Sequence, residues 1–217
     1  MPRDASATRE RLLYAGARRF AVDGIDAART RDIVAHAGQN NDSAITYHFG
    51  SRTGLLEAIL RAGVHRMETI RRTDLDPADL PRIVAAIVEP TAAELRTDHG
   101  RDFLRITAQL AGRAGIRDHR LPELLHGTGL ARQLQLLETA CRAALPEPLA
   151  LERISNVIGF LTTALADRAV RATKAPSSRT TPSSPTSPPC SPPPCKPPSR
   201  PPQRPAPNQF AQAPRAP

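Results

Sequence analysis

Apolar residues recur three and four apart from Thr8 to Ala172, and runs that alternate apolar with polar positions are absent. That period places apolar side chains on one face of a helix, so the chain is expected to be all-α. A first helix is expected from Thr8 to Val22, with Leu13, Ala17, Phe20 and Ala21 facing inward and Asp23-Gly24 closing it. Thr30 to Ala37 reads as a short helix whose start the Thr30 hydroxyl can cap. A third short helix follows, capped by Asn41 or Asp42. A fourth runs from Gly54 to Arg72 with Leu55, Leu56, Ile59, Leu60, Val64 and Met67 inward. Beyond the break at Asp74-Leu75-Asp76-Pro77 the pattern predicts a helical bundle. Its members are Leu80 to Leu95, kinked at Pro90, then Phe103 to Gly112, Leu124 to Leu145 and Leu151 to Ala172.

After Ala175 the character changes. Of 23 prolines, 16 fall between Pro176 and Pro217, and Phe210 is the one large apolar residue there. Such sequence buries too little surface to offset the entropy of ordering, so a disordered, polyproline-rich tail is expected. The tail also corrects the charge picture. Net charge is +9, yet from Arg171 onward there are seven basic residues, Arg171, Lys174, Arg179, Lys196, Arg200, Arg204 and Arg215, and no acidic one. Without those seven the rest of the chain carries only +2. Affinity for a polyanion must then come from placed groups rather than bulk charge. Arg outnumbers Lys heavily, with only Lys174 and Lys196 among 30 basic residues. That bias suggests a GC-rich gene, and an out-of-frame reading is one origin for the tail; a basic arm that adds non-specific DNA affinity is the other.

No apolar run approaches the roughly 18 residues that span a bilayer, and Met1 to Ala5 is polar. A cytoplasmic location is expected. Cys141 falls on an apolar helical pattern and reads as core; Cys190 and Cys195 lack the spacing of a zinc site. His99, His119 and His126 match no metal-ligand pattern either, so neither metal nor cofactor is expected. No Gly-rich phosphate loop and no nucleophile with a base at a known spacing is present, so no enzyme is expected.

The candidate chemistry lies between Thr30 and Arg52. Two short helices joined by a turn containing Gly38, the second with a polar front, describe a helix-turn-helix at about residues 30–49. Ile33, Val34, Ala37, Ile45 and Phe49 should pack the pair onto the first helix. Asn40, Asn41, Asp42, Ser43 and Thr46 are expected at the exposed front, where Asn can pair with adenine and Ser or Thr with several bases. Tyr47, His48 and Arg52 can reach phosphate oxygens.

The pattern Ile45-x-Tyr47-His48-Phe49-Gly50-Ser51-Arg52-x-Gly54-Leu55-Leu56 resembles the TetR family of bacterial transcriptional regulators. Arg11-Leu12-Leu13, Ala17, Phe20, Gly24, Thr30-Arg31-Asp32-Ile33 and Ala37-Gly38 extend the resemblance, which covers about Thr8 to Leu60. It implies a sequence-specific regulator, most simply a repressor, that binds a palindromic double-stranded DNA operator. Thr30, Tyr47, His48 and Arg52 would clamp the DNA backbone. Arg52 stands where the family usually has Lys, and one more residue separates Gly38 from Ile45 than is common. The turn is therefore longer, or the reading helix starts earlier.

The resemblance also implies a head over 1–53, a ligand-binding and dimerisation body over 54–172 and the tail over 173–217. Ile154, Val157, Ile158, Leu161 and Leu165 form the candidate homodimer seam. Phe103, Arg105, Gln109, His126 and Gln133 are candidate contacts for a small-molecule effector. The rival readings are a helical small-molecule-binding protein whose head no longer binds DNA, and an interaction protein that uses its polyproline tail.

Overall fold

A computed structural model describes residues 2–111 and 122–174. Eight α-helices run through them: α1 (Pro2–Asp23), α2 (Thr30–His36), α3 (Ser43–Phe49), α4 (Arg52–Glu68), α5 (Leu80–Ala93), α6 (Asp98–Ala111), α7 (Gly129–Ala144) and α8 (Glu147–Lys174). Short 3-10 turns at Glu94–Arg96 and Glu123–Leu125 precede α6 and α7. No strand occurs among the described residues. The all-α expectation holds. Met1–Ser177 forms one compact unit, and α4 runs unbroken across the head–body division expected at residue 53. The tail beyond it lies outside the described residues, as do His119, Cys190 and Cys195.

The largest core is built on α1. Leu12 and Phe20 are fully buried and meet Ile33 and Val34 of α2, Ile45 of α3, and Leu55 and Ile59 of α4. Burying side chains of this size contributes about 1.5–3 kcal/mol each. Phe103 and Ile106 of α6 belong to the same cluster, so the core continues from the three-helix head into the body. A second cluster joins Ile83 and Ile87 of α5 to Leu137 of α7 and Ile154 of α8, with Cys141 packed at its edge. A third sets Leu104 of α6 against Leu165 and Ala169 of α8.

Helix limits differ from the periodic reading at several places. The first helix starts at Pro2 rather than Thr8; proline fits a first turn because no intrahelical partner awaits its missing N–H. The fourth begins at Arg52, where Ser51 Oγ accepts from Gly54 N at 2.9 Å, and ends at Glu68 rather than Arg72. Leu124 to Leu145 is not one helix, because Gly127, with φ 75°, lies between the 3-10 turn and α7. Pro90 lies inside α5, which continues to Ala93. The N–H that Pro90 lacks would have met Ala86 O; that carbonyl is instead approached by Arg71 Nη1 at 3.5 Å. The last helix begins four residues early, at Glu147. Although its sequence holds no long unbroken apolar run, α8 has the length and mean hydropathy (1.2 over its best window) of a membrane span. Ile154, Leu165 and Ala169 nonetheless lie in the protein core.

Gly54 fixes how closely α4 approaches α3. A Cβ there would sit 2.1 Å from Phe49 O, a backbone atom that cannot yield alone. Gly54→Ala is expected to lower stability by about 1–3 kcal/mol, the usual cost of overpacking. Urea unfolding followed by circular dichroism would measure it.

Candidate nucleic-acid interface

The turn between α2 and α3 sets the geometry of the exposed surface. After Ala37, Gly38 takes φ 67°, a left-handed conformation that lets the chain reverse directly. Gln39 N then donates to Val34 O at 3.0 Å. Six residues, 37–42, separate the two helices, so the extra residue lengthens the turn and α3 starts at Ser43. Of the two candidate caps Asn41 acts: its Oδ1 accepts from Ser43 N at 2.9 Å, while the Asp42 side chain makes no cap bond. Asn40, Asn41 and Asp42 are exposed but lie in the turn, not on the helix front where they were expected. Thr30 also needs correction. It opens the first turn of α2, and the residue at the cap position is Arg29, which makes no side-chain cap bond.

Helix α3 shows the outside one face and buries the other. Ile45 is 1% exposed and anchors the helix in the core. Ser43, Thr46 and Tyr47, spaced three and four apart, share the exposed side. Tyr47 is 81% exposed, a high value for so large a ring. His48 is half-buried and meets Tyr47 edge-on at 4.9 Å between centroids. Phe49 packs against the core, with the Arg9 guanidinium 5.0 Å over its ring. Polar groups thus line one ridge held by a rigid base, a shape that suits the major groove.

Residues 12–59 match the model of the bacterial regulatory proteins of the tetR family. Over that stretch the head is similar to the tetR family. Among solved structures, Salmonella enterica GusR is 21% identical over 77% of this chain and 88% of its own, with a TM-score of 0.46. A putative TetR-family transcriptional regulator from Rhodococcus sp. is 20% identical over 77% of this chain and 95% of its own, with a TM-score of 0.41. A HlyIIR mutant is 15% identical over 77% of this chain and 97% of its own, with a TM-score of 0.42. No curated protein matches the chain.

Within this tetR-type head Arg52 is turned inward. Its Nε donates to Ala28 O at 3.1 Å and its Nη2 to Ile25 O, and its guanidinium lies 4.9 Å over the Phe20 ring. Arg52, expected as a phosphate clamp, braces the loop between α1 and α2. The physical reason is local: two carbonyls of that loop need donors, and the planar guanidinium supplies them while covering an aromatic face.

The five effector candidates do not converge on one cavity. Phe103 is core. Gln133, 1% exposed, is already committed: its Oε1 accepts from Arg71 Nη1 and its Nε2 donates to Arg72 O, both at 2.6 Å. Arg71 also pairs with Glu68 at 3.1 Å, and Glu68 Oε2 accepts from Gly129 N at 2.6 Å, at the start of α7. Burial lowers the Arg71 pKa, against the opposing pull of Glu68. His126 is exposed after the 3-10 turn. Arg105 is half-buried on α6, and its carbonyl accepts from Gln109 Nε2 at 3.2 Å. Gln109 ties α6 to the end of α1: Nε2 donates to Phe20 O at 3.1 Å and Oε1 accepts from Ile25 N at 2.8 Å. No sequence signal marked that part. Among the described residues no three His, Cys, Asp or Glu side chains gather as a metal set.

The seam candidates divide as well. Ile154 and Leu165 are buried, and Ile158 and Leu161 pack partly buried against the same internal clusters. Val157 alone of the five is exposed, beside Phe160 at 77% and Leu149 at 45%. Sequence periodicity had marked the inner stripe of α8; its outer face carries different residues.

Asp102 of α6 holds Arg18 of α1 at 3.2 Å and is 2% exposed. Desolvation raises its pKa, against the opposing charge of Arg18. The folded chain therefore binds this proton more tightly than the unfolded chain does. Stability from this group is present in acid and is lost as pH rises from the ordinary aspartate value through the raised one. Asp102→Asn should flatten that part of the stability–pH curve, read from urea midpoints; an unchanged slope would contradict the assignment. Arg52→Ala should cost about 1.5–3 kcal/mol through its lost charged hydrogen bonds. Tyr47→Ala should stay within about 0.5 kcal/mol in the same assay.

Proposed function

We propose that this protein is a sequence-specific DNA-binding transcriptional regulator, a repressor that acts as a homodimer in the cytoplasm and is released by a small-molecule effector. The observation that carries the reading is the exposed ridge of Ser43, Thr46 and Tyr47 on a buried Ile45 anchor, within a stretch that matches the tetR model. Ser43 and Thr46 would read base edges. Tyr47, His48 and the first turn of α2 at Thr30 would hold phosphates, with Asn40, Asn41 and Asp42 of the longer turn beside them. Arg52 would serve indirectly, by fixing the loop that carries α2.

TetR-family proteins bind operators and generally act as dimers with small-molecule effectors. A dimer would place two such ridges about 34–36 Å apart along one face of the duplex. The outer face of α8, with Val157, Phe160 and Leu149, is the seam this reading favours, in place of the inner stripe. Effector release is supported by the shared core and by the Arg18–Asp102 and Gln109 links, because a shift of α6 must move α1 and the head with it.

Gel shifts with the DNA upstream of the chain's own gene test the function. A preference for one duplex over scrambled competitor at moderate salt is expected; its absence would end the proposal. Tyr47→Ala should weaken that binding about tenfold, the scale of one hydrogen bond to a charged phosphate. Phe160→Glu should convert the dimer to monomers in sedimentation velocity.

A further inference from the structure

A groove of about 670 Å³ runs between the head and the body, bounded by α1, the end of α2, α4 and the start of α6. Its volume falls within the roughly 300–1,000 Å³ typical of small-molecule sites. Leu13, Ala17, Ile59, Ala62 and Phe103 contribute its apolar lining. A Cβ at Gly63 would lie 2.2 Å from the Phe103 ring, so that glycine admits Phe103 against α4.

Rings gather in this groove. Tyr14 and His36 come from the head, His99 and Phe103 from α6. Tyr14 meets His99 edge-on at 4.9 Å and lies 28° from parallel to His36 at 6.4 Å. Yet Tyr14 remains 43% exposed, so much of its ring is open to contact. Aromatic faces and edges attract further flat rings in offset or edge-on geometry.

Two guanidinium groups stand among the groove's polar members, beside Thr97, His36 and His99. Arg11 and Arg66 reach it, and guanidinium groups donate but do not accept; Glu10 is the single acidic residue of its lining. Arg66 is held by Glu94 through two nitrogens, Nε at 3.2 Å and Nη2 at 2.5 Å from Oε2, and its guanidinium lies 5.8 Å from the Phe103 ring centroid. Arg11 Nη2 donates to Thr8 Oγ1 at 2.9 Å. We infer that this groove binds a planar aromatic molecule whose edge accepts hydrogen bonds, such as a carboxylate, phenolate or ring carbonyl. Its flat face lies against Tyr14, and its acceptor edge points to Arg11 and Arg66. The occupant contacts the end of α2 and the start of α6 together, so it bridges the head to the body. None of this depends on DNA binding.

The chain has two tyrosines and no tryptophan, so Tyr47→Phe leaves Tyr14 as its sole tyrosine. The test titrates this full-length variant with 1-anilinonaphthalene-8-sulfonate, whose flat naphthalene ring carries an acceptor sulfonate, in the absence of DNA. One saturable site per chain and quenched Tyr14 emission are expected. Ala62→Phe, at an exposed position on α4, fills the groove, and Tyr14→Ala removes a wall; each should weaken dye binding about tenfold. Proflavine, a flat cation, should also bind at least about tenfold more weakly. The inference fails if dye saturation leaves Tyr14 emission unchanged. It also fails if both variants keep native circular dichroism and full dye affinity, or if proflavine binds as tightly. A failed gel shift would leave these outcomes untouched.

Discussion

The packing of α1 is the contact on which the rest depends. Phe20 and Leu12 are enclosed by α2, α3 and α4, and the same cluster takes in Phe103 and Ile106 from α6. A helix–turn–helix of two seven-residue helices has too little surface to hold its own shape. Here the pair borrows its rigidity from α1, and through α1 from the body. The exposed ridge on α3 is therefore as fixed as the core beneath Ile45.

Polar links reinforce that continuity without replacing it. Gln109 satisfies a carbonyl and an amide at the end of α1, where helix termination leaves backbone groups without partners. Arg52 does the same for Ile25 and Ala28 a few residues later. Deeper in the body, Pro90 frees the Ala86 carbonyl, and Arg71 lies against it while joining Glu68 and Gln133. Each is a polar group held by another, which is how a helical bundle keeps one register among many.

These links also explain what sequence reading saw and what it missed at the site. Ser43 and Thr46 were legible as an exposed front because helical spacing turns them away from Ile45, whereas Tyr47 was read only as a phosphate contact. The inward bonds of Arg52 were not legible because a side chain's direction is chosen by distant carbonyls at Ile25 and Ala28. Gln133 was taken as a ligand contact because nothing local marks its pairing with Arg71, which lies 62 residues away. Phe160 was passed over because periodicity picks the face of α8 that meets the core, and an exposed ring on the other face breaks the pattern.

Local composition and the three-to-four period by themselves determined the helices, the order of their inner faces, the turn at Gly38 and the kind of head. Those features follow from steric and hydrophobic preferences that act within one or two turns of chain. Tertiary structure alone decided where the turn ends and α3 begins, which carbonyls Arg52 and Gln109 hold, and which face of α8 is left open. It also decided that Tyr14, His36, His99 and Phe103 share one groove, because residues far apart in sequence meet only when α1 and α6 pack together.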